Sequence, residues 1–540
     1  MLIKVSRSTA IILTIIFFYG CQGNSTDTRP NIIIVMADDM GFSDIEPYGG
    51  EIHTPALNSL ATNGLRFTQF YNGARCCPTR ATLLTGLYAH QTGIGHMVDA
   101  TPRGPGYLGD LNNQCVTIAQ VLGNVGYRNY IVGKWHVSRS LSNSEIHNWP
   151  IQRGFDKFYG TITGAGSYYD PATLTYNNEP ITAPDEDDYY YTDAISDSAS
   201  AFIKQHFNQY ASPFFMYVSY TAPHWPLHAL KQDIEENEGL FDSGWDTLRQ
   251  ERLRKMIDLD IVKKDQSLSI RDENIVPWDS VNNKSLELKK MEVYAAQITS
   301  MDKGIGRIVK TLAKMKVLDN TLFIFLADNG GCAEEFSQST AWVRRYGPIL
   351  TKEKKEIIYG NDNDMIPGPA DTYQSYGRNW ANLSNTPFRY YKHYVHEGGI
   401  STPFIIHWPK KIKNPGSLYS QPTHIIDIMP TVIEAANATY PSEHKEIKLT
   451  SIEGVSLIKS FNQADLKDRP LYWEHENNRA IRKGKWKLVT TWDGSWELYD
   501  INLDRAEENN LVLDYPDIAQ QLAMDWETWA WRTGVLPKPN

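Results

Sequence analysis

An α/β fold with a large, mostly parallel sheet flanked by helices, followed by a smaller α+β region of antiparallel sheet and helix, is predicted by three observations. Four apolar runs, "NIIIVMADD", "YIVGKWH", "PFFMYVSYTAPH" and "NTLFIFLADNGG", have the length and continuity of strands buried on both faces. Helical stretches separate them, the clearest over 286–316, where apolar residues recur at three- and four-residue spacing with charges between. After about residue 440 the pattern changes to short alternating runs, "RPLYWEH", "NRAIRKGKWKLVTTW" and "SWELYDI", with the amphipathic "PDIAQQLAMDWETWAWRTG" at the end.

Taken in chain order, residues 1–20 have Lys4 and Arg7 followed by "AIILTIIFFYG", a basic segment and a short apolar one. Such a run is too short to span a bilayer stably and has the form of an export signal. It ends in "FYGC", which resembles a bacterial lipobox and makes Cys21 the expected site of lipidation. The expectation is an exported bacterial lipoprotein, periplasmic or cell-surface, held to the membrane only through that lipid. Residues 21–29 are polar and aperiodic and form the expected tether, leaving 30–440 as a catalytic domain and 441–540 as a C-terminal one.

The first strand closes on Asp38 and Asp39, the next on Lys134 and His136, the third on His224, and the fourth on Asp328 and Asn329. An acidic residue after one strand is usually a helix cap. Four strands that all end in such groups instead predict one site, because open α/β sheets bind ligands at the carboxyl ends of their strands. Asp38, Asp39, Asp328 and Asn329 offer only oxygen donors, the set that suits Ca²⁺ or Mg²⁺ rather than zinc. Three carboxylates together repel strongly without a cation, so a divalent metal, calcium, is expected there.

Between the first two of these strands lies "NGARCCPTRATLLTG". Pro78 suits the first turn of a helix, which places Cys76 at its N-terminus, where free amides and the dipole favour an anion. Arg80 adds a permanent charge one turn in. The arrangement suits a nucleophile attacking an anionic group, yet an unmodified thiolate beside a hard cation is a poor match.

The last eleven of these residues, "CCPTRATLLTG", resemble the signature of the type I sulfatases, C-x-P-x-R-x-x-L-x-T-G, a family of the alkaline phosphatase superfamily. "ADDMGFSD" and "ADNGG" resemble that family's two metal motifs, "GKWH" its Lys-x-His element, "APHWPLHA" its sulfate-contacting histidine, and "RYYKHYVHEGGISTPFIIHWP" its late lysine element. The closest likeness is to the bacterial arylsulfatases, and it runs from about residue 30 to the end.

The resemblance implies that Cys76, two residues before the proline, becomes Cα-formylglycine (3-oxoalanine), with Cys77 in the variable position. A formylglycine-generating or sulfatase-maturating enzyme is then a required partner. It further implies a hydrated aldehyde that binds the calcium and attacks sulfur, with Asp328 taking its proton. Arg80 would hold the nucleophile, Lys134 and His136 would orient it, and His224 or Lys392 would protonate the departing alcohol. His393 and His396 rival Lys392 for that place, and His228 is expected behind the site or facing substrate.

A net charge of −10 argues against nucleic acid as a partner, and five scattered cysteines are too few for a disulfide framework. Cys115 and Cys332 read as buried thiols. A tyrosine-rich acidic stretch over 167–193 and a charged one over 231–278 are expected as loops that shape the cleft. The predicted function is hydrolysis of sulfate esters on carbohydrates, such as oligosaccharides of sulfated algal polysaccharides. The alternatives are phosphomonoester, phosphodiester or phosphonate hydrolysis on the same fold, and a non-catalytic sugar-binding lipoprotein. The last requires an eroded site, and every expected polar position is filled.

Overall fold

The structure, a computed structural model, describes residues 27–98, 100–185, 188–340, 343, 347, 349–362 and 364–537. The expected signal segment, Cys21 and the first part of the tether lie outside the described residues. Among the described residues no helix is long and apolar enough to cross a membrane.

The main sheet has ten strands, with Asn31–Ala37 near its middle. That strand runs parallel to Phe214–Ser219 on one side and to Thr321–Ala327 on the other. Arg128–Lys134 and then Lys157–Thr161 continue the parallel set, while Phe404–His407 joins Thr321–Ala327 antiparallel. The centre is therefore parallel, and the antiparallel pairings lie toward the edges.

Why the central runs are apolar throughout follows from the two faces. Ile33, Val35 and Ala37 enter one core with residues of the helices Tyr191–Gln209 and Lys284–Lys314. Ile32, Ile34 and Met36 enter a second core, with residues of Cys76–Thr85, Ile118–Gly123 and Ile428–Ala435. Both faces are dry, so every position gains from an apolar side chain, about 1.5–3 kcal/mol for each large one buried.

Register then places the chemistry. Ala37 lies opposite Ala327, Met36 opposite Ser219, and Ser219 opposite Gly133. Residues 38, 134, 220 and 328 consequently leave the same edge of the sheet side by side. Gly133 makes this close approach possible: its φ is +96°, and a Cβ there would lie 1.9 Å from the Ser219 carbonyl oxygen.

Toward the carboxyl end, Leu471–His475, Asn478–Lys483, Trp486–Thr490 and Glu497–Asp500 form a four-stranded antiparallel sheet. Ile481, Leu488 and Leu498 pack on Trp526 and Trp529 of the helix Pro516–Thr533. Trp473, Ala480 and Val489 on the other face pack on Tyr71, Val395 and Ile400. Glu397 ties this seam together from a fully buried position. It accepts hydrogen bonds from Lys487 Nζ at 3.0 Å, Arg505 Nη2 at 2.9 Å and Tyr71 Oη at 2.9 Å.

The two stretches expected as loops that shape the cleft are in part regular structure, and their irregular parts line cavities through Tyr169, Asp170 and Tyr189 in one and Asp272 in the other. Tyr168, Tyr190 and Tyr191 are buried in the main core, and Leu174–Tyr176 and Glu179–Pro180 extend the sheet. The charged stretch contains the helices Lys231–Glu236 and Gly244–Asp258, which bury Trp245, Leu248 and Met256. Its Arg252 is also buried, and pairs with Asp44 at 2.9 Å and Glu51 at 2.7 Å. Tyr168, Tyr190 and Arg252 can be anchors at buried positions because their polar groups have partners.

Candidate active site

The helix Cys76–Thr85 begins where expected, with Arg75 extended before it and Gly86 left-handed after it. No side chain caps its N-terminus, so the first-turn amides remain available around Cys76. Thr79 fixes the approach, since its Oγ1 accepts the Gly73 N–H at 2.9 Å.

Arg80 reaches under the sheet edge from this helix and is fully buried. Its Nη2 donates to Asp328 Oδ2 at 2.9 Å and lies 3.5 Å from Asp38 Oδ2, and Nη1 donates to Tyr217 Oη at 3.2 Å and to Ser219 Oγ. Lys134 Nζ donates to Asp38 Oδ2 at 2.5 Å. Lys392 Nζ donates to Asp39 Oδ2 at 2.8 Å, and His224 Nε2 lies 3.3 Å from the same oxygen and 3.4 Å from the lysine. Asn329 Nδ2 donates to Asp39 Oδ1 at 2.7 Å, and the Asp39 N–H donates to Asp328 Oδ1 at 3.1 Å. His136 Nε2 lies 3.2 Å from the Cys77 sulfur. Cys76, Cys77 and His136 place their donor atoms within 4.8 Å of one another. All ten predicted residues are therefore in one buried cluster.

Asp39 at φ +65° and His136 at φ +55° have left-handed backbone at non-glycine residues, a conformation concentrated where function fixes geometry.

The electrostatics sort these groups. Burial, with Asp38 alongside, pushes the Asp328 carboxyl up to about 8 despite Arg80. Burial also raises Asp38, against the pull of Lys134 and Arg80. Burial opposes ionisation of Asp39 too, but Lys392 and His224 outweigh it and hold that carboxylate low. Lys392 stays well above the ordinary lysine value: burial works against the ammonium, and Asp39, Cys332 and Glu334 more than offset it. Burial lowers both His224 and His136 to about 4, so both rings are neutral at physiological pH. His224 Nδ1 sits 2.7 Å from the Trp225 carbonyl oxygen, which assigns the proton to that nitrogen and leaves Nε2 toward Lys392. The hydrogen bond from Cys77 depresses the Cys76 thiol well below its usual range against burial, with Lys134 and His136 adding to it.

The residues fit a hard cation. Asp38 Oδ1 and Asn329 Oδ1 are buried oxygens without a hydrogen-bond partner, and they sit among three carboxylates. Leaving such atoms unpaired costs roughly 1–3 kcal/mol each, which an ion would recover. Arg80 Nε and His136 Nδ1 are likewise buried without a hydrogen-bond partner.

The rivals to Lys392 are placed elsewhere. His393 is partly exposed, with Nε2 3.1 Å from Glu334 Oε1 and Nδ1 2.8 Å from Glu476 Oε2. His396 is buried and lies 3.3 Å from Glu497 of the C-terminal sheet. His228 does not face a cleft: it is fully buried, with Nε2 2.6 Å from the Thr372 carbonyl oxygen. Cys76, Cys77, Cys115 and Cys332 are free buried thiols.

Sequence reasoning missed Glu334 and Arg75. Glu334 accepts from Arg75 Nη1 at 2.9 Å and from Trp225 Nε1 at 2.8 Å, and lies 3.9 Å from Lys392 Nζ. The acidic "AEE" just past the second metal motif was the available signal. Outside Lys392 opens a cavity of about 440 Å³, lined by Glu334, Arg378, His393, Asn478 and Trp492 among others.

Residues 30–438 match the family described as Sulfatase, and residues 388–528 match the one described as N-sulphoglucosamine sulphohydrolase, C-terminal. The chain is 30% identical to an uncharacterized sulfatase of Schizosaccharomyces pombe, with 95% of each chain covered. It is 31% identical to an arylsulfatase of Klebsiella aerogenes, over 79% of this chain and 91% of that one. Among solved structures, Ps i-CgsB in complex with k-i-k-neocarrahexaose superposes with a TM-score of 0.66 at 23% identity, covering 94% of this chain and 98% of that one.

Proposed function

The chain belongs to the sulfatase family of the alkaline phosphatase superfamily and is a sulfuric ester hydrolase, and from that premise we propose that it removes sulfate from sulfated carbohydrates through a formylglycine at position 76 and a calcium ion. Oligosaccharides from sulfated polysaccharides such as those of algae are the proposed substrates. The observation that carries the reading is the gathering of Cys76, Arg80, Lys134, His136, His224 and Lys392 around Asp38, Asp39, Asp328 and Asn329, with two buried oxygens left unpaired.

Asp38, Asp39, Asp328 and Asn329 would hold the calcium, which when bound stabilises developing negative charge as a Lewis acid. The formylglycine made from Cys76 would supply an oxygen nucleophile in place of a thiolate. Asp328, ionised once the calcium is held, takes up the proton of that nucleophile. Arg80, anchored on Asp328, Tyr217 and Ser219, holds the nucleophilic side in place. Lys134 and Lys392 present ammonium groups to the sulfate oxygens from opposite sides. As the sulfur–oxygen bond to the sugar breaks, the Lys392 ammonium delivers a proton to the departing alcohol oxygen, and the unprotonated His224 Nε2, 3.4 Å away, holds that lysine in place. The burial of all these groups excludes water and strengthens each charge interaction.

A sulfated sugar suits the cavity beyond Lys392. Trp492, 64% exposed at its rim, offers an aromatic face, and Arg378 offers a second anion contact. The chain is further proposed to be exported and anchored through lipid on Cys21, and to be matured by a formylglycine-generating or sulfatase-maturating enzyme.

The test is peptide mass spectrometry across residues 76–80 after trapping with an amine reagent, with sulfate release from sulfated oligosaccharides measured on the same protein. A trapped aldehyde at residue 76 together with released sulfate is the expected result. A thiol at residue 76 in protein that still cleaves sulfate esters would overturn the mechanism.

A further inference from the structure

A second cluster of metal-ligating side chains lies outside the site just described. His393, His475 and Glu476 each bring a donor atom into a set lying within 4.8 Å of one another. His96 Nε2 approaches the same carboxylate, 3.3 Å from Glu476 Oε1. The four come from three places in the chain: the loop after the helix Cys76–Thr85, the loop that carries Lys392, and the tip of the first C-terminal hairpin.

The deciding observation is His475. Its ring is fully buried, and neither Nδ1 nor Nε2 has a hydrogen-bond partner. Nε2 points at Glu476 Oε1 from 3.6 Å, too far for a hydrogen bond. A buried imidazole unpaired on both sides is costly, and a cation beside Nε2 would satisfy one of them.

We propose that His96, His393, His475 and Glu476 bind a transition-metal ion of the zinc type, locking the C-terminal hairpin to the loop that bears Lys392.

Donor type and spacing agree with this. Three imidazoles and one carboxylate form a borderline-soft set unlike the all-oxygen set of the calcium site. Four ligands about 2.0–2.1 Å from a tetrahedral ion stand roughly 3.3 Å apart. His96 Nε2 at 3.3 Å and His475 Nε2 at 3.6 Å from Glu476 Oε1 are close to that value, while His393 Nδ1 meets the other oxygen, Oε2, at 2.8 Å, and small side-chain rotations would bring all four donors onto one ion.

The surroundings also resemble the support a metal-bound histidine needs. With Nδ1 of His393 toward the ion, its Nε2–H faces Glu334 Oε1 at 3.1 Å, a carboxylate that fixes ring orientation. Arg75 Nη1, a donor, also meets that nitrogen, and an Nε2–H there requires Arg75 to turn wholly to Glu334, with which it is already paired at 2.9 Å. Burial holds His475 neutral, down to about 3, so it has no proton to lose before ligating.

Backbone geometry adds a cost that the site would explain. Glu476 and Asn477, at φ +49° and +71°, form the two-residue turn between His475 and Asn478, where glycine, asparagine or aspartate is usual. His393 has φ +81°.

The experiment is titration of the full-length, calcium-saturated protein with Co²⁺ and with Zn²⁺, read by visible absorption, equilibrium dialysis and thermal shift. The expected result is one equivalent bound beyond calcium, with the strong visible bands of tetrahedral Co²⁺ and a raised Tm. His475→Ala should abolish the bands. His96→Ala, at a partly exposed position where folding is not at stake, should weaken binding about 10- to 100-fold. Absence of a second equivalent, octahedral Co²⁺ bands alone, or binding unchanged in His96→Ala would each overturn the proposal.

Discussion

Lys392 Nζ stands 2.8 Å from Asp39 Oδ2, and both side chains are almost entirely buried although 353 residues separate them. A paired, charged lysine in that place couples the end of the first strand to the loop beyond the last metal-motif residue. Alanine at position 392 should lower kcat by roughly 10²–10⁴. Arginine should not restore it, since a planar guanidinium does not fit where a compact ammonium is held. Steady-state kinetics on folded variants decide this, and an unchanged kcat in Lys392→Ala would remove the residue from the mechanism.

Asp328 gives the proposed calcium binding a sign with pH. Burial and Asp38 put its carboxyl at about 8 before any cation is present, so at pH 7 it is largely protonated. Ionising it to hold calcium releases that proton. Apparent calcium affinity should rise about tenfold per pH unit up to pH 8 and flatten above it. Calorimetry in buffers of different ionisation enthalpy should find close to one proton released per calcium at pH 7. No release at pH 7 would show that Asp328 is not the titrating ligand.

Chelation tests the same site independently of pH. Removing the ion should abolish sulfate release and lower Tm, because the buried oxygens Asp38 Oδ1 and Asn329 Oδ1 are left without a partner. Added Ca²⁺ should restore both. Full activity in chelated protein shown to be free of calcium would rule out the cation's role.

Glu397 sets an acid limit on the seam with the C-terminal sheet. Burial opposes its ionisation, but Lys487 and Arg505 outweigh that and bring it from the ordinary 4.5 to about 2. A depressed folded value means the stabilisation is fully present above pH 4.5 and is lost as pH falls toward 2. The difference corresponds to something on the order of 3 kcal/mol. Glu397→Gln should therefore melt well below the native protein at pH 6, and the gap should narrow steadily between pH 4.5 and 2. A gap independent of pH over that range would mean the carboxylate charge contributes nothing.

Gly133 is a prediction about the sheet rather than the chemistry. A methyl group there would sit 1.9 Å from the Ser219 carbonyl oxygen on a backbone with φ +96°. Gly133→Ala should cost about 3 kcal/mol or more and displace Lys134 from Asp38. Melting temperature and kcat should fall together. A variant that keeps the native Tm would show that the strands move apart at little cost.

Much of this was legible from pattern alone. The apolar runs before Asp38, Lys134, His224 and Asp328 are strands because a sheet covered on both faces demands unbroken hydrophobicity, and the acidic and basic residues after them appear at the one edge left for polar groups. The C-terminal strands and helix followed from a change of period, and the start of the helix at Cys76 from Pro78 two residues on. In the tyrosine-rich and charged stretches composition suggested cleft-shaping loops and did not reveal that Tyr190 and Arg252 are buried with partners. Composition cannot reveal pairing.

Chemical identity along the chain thus determined which groups this protein brings to its site and the sheet edge at which they appear, because strand direction and period are local properties of sequence. The fold alone separates Lys392, His393 and His396, three near neighbours of which one meets Asp39, one meets Glu334 and one turns to the C-terminal sheet. It also brought in Glu334, Arg75 and the His475 cluster. Those assignments depend on long-range approach and on left-handed turns at Tyr390 and His393, where burial and partner geometry, rather than residue type, decide what a side chain can do.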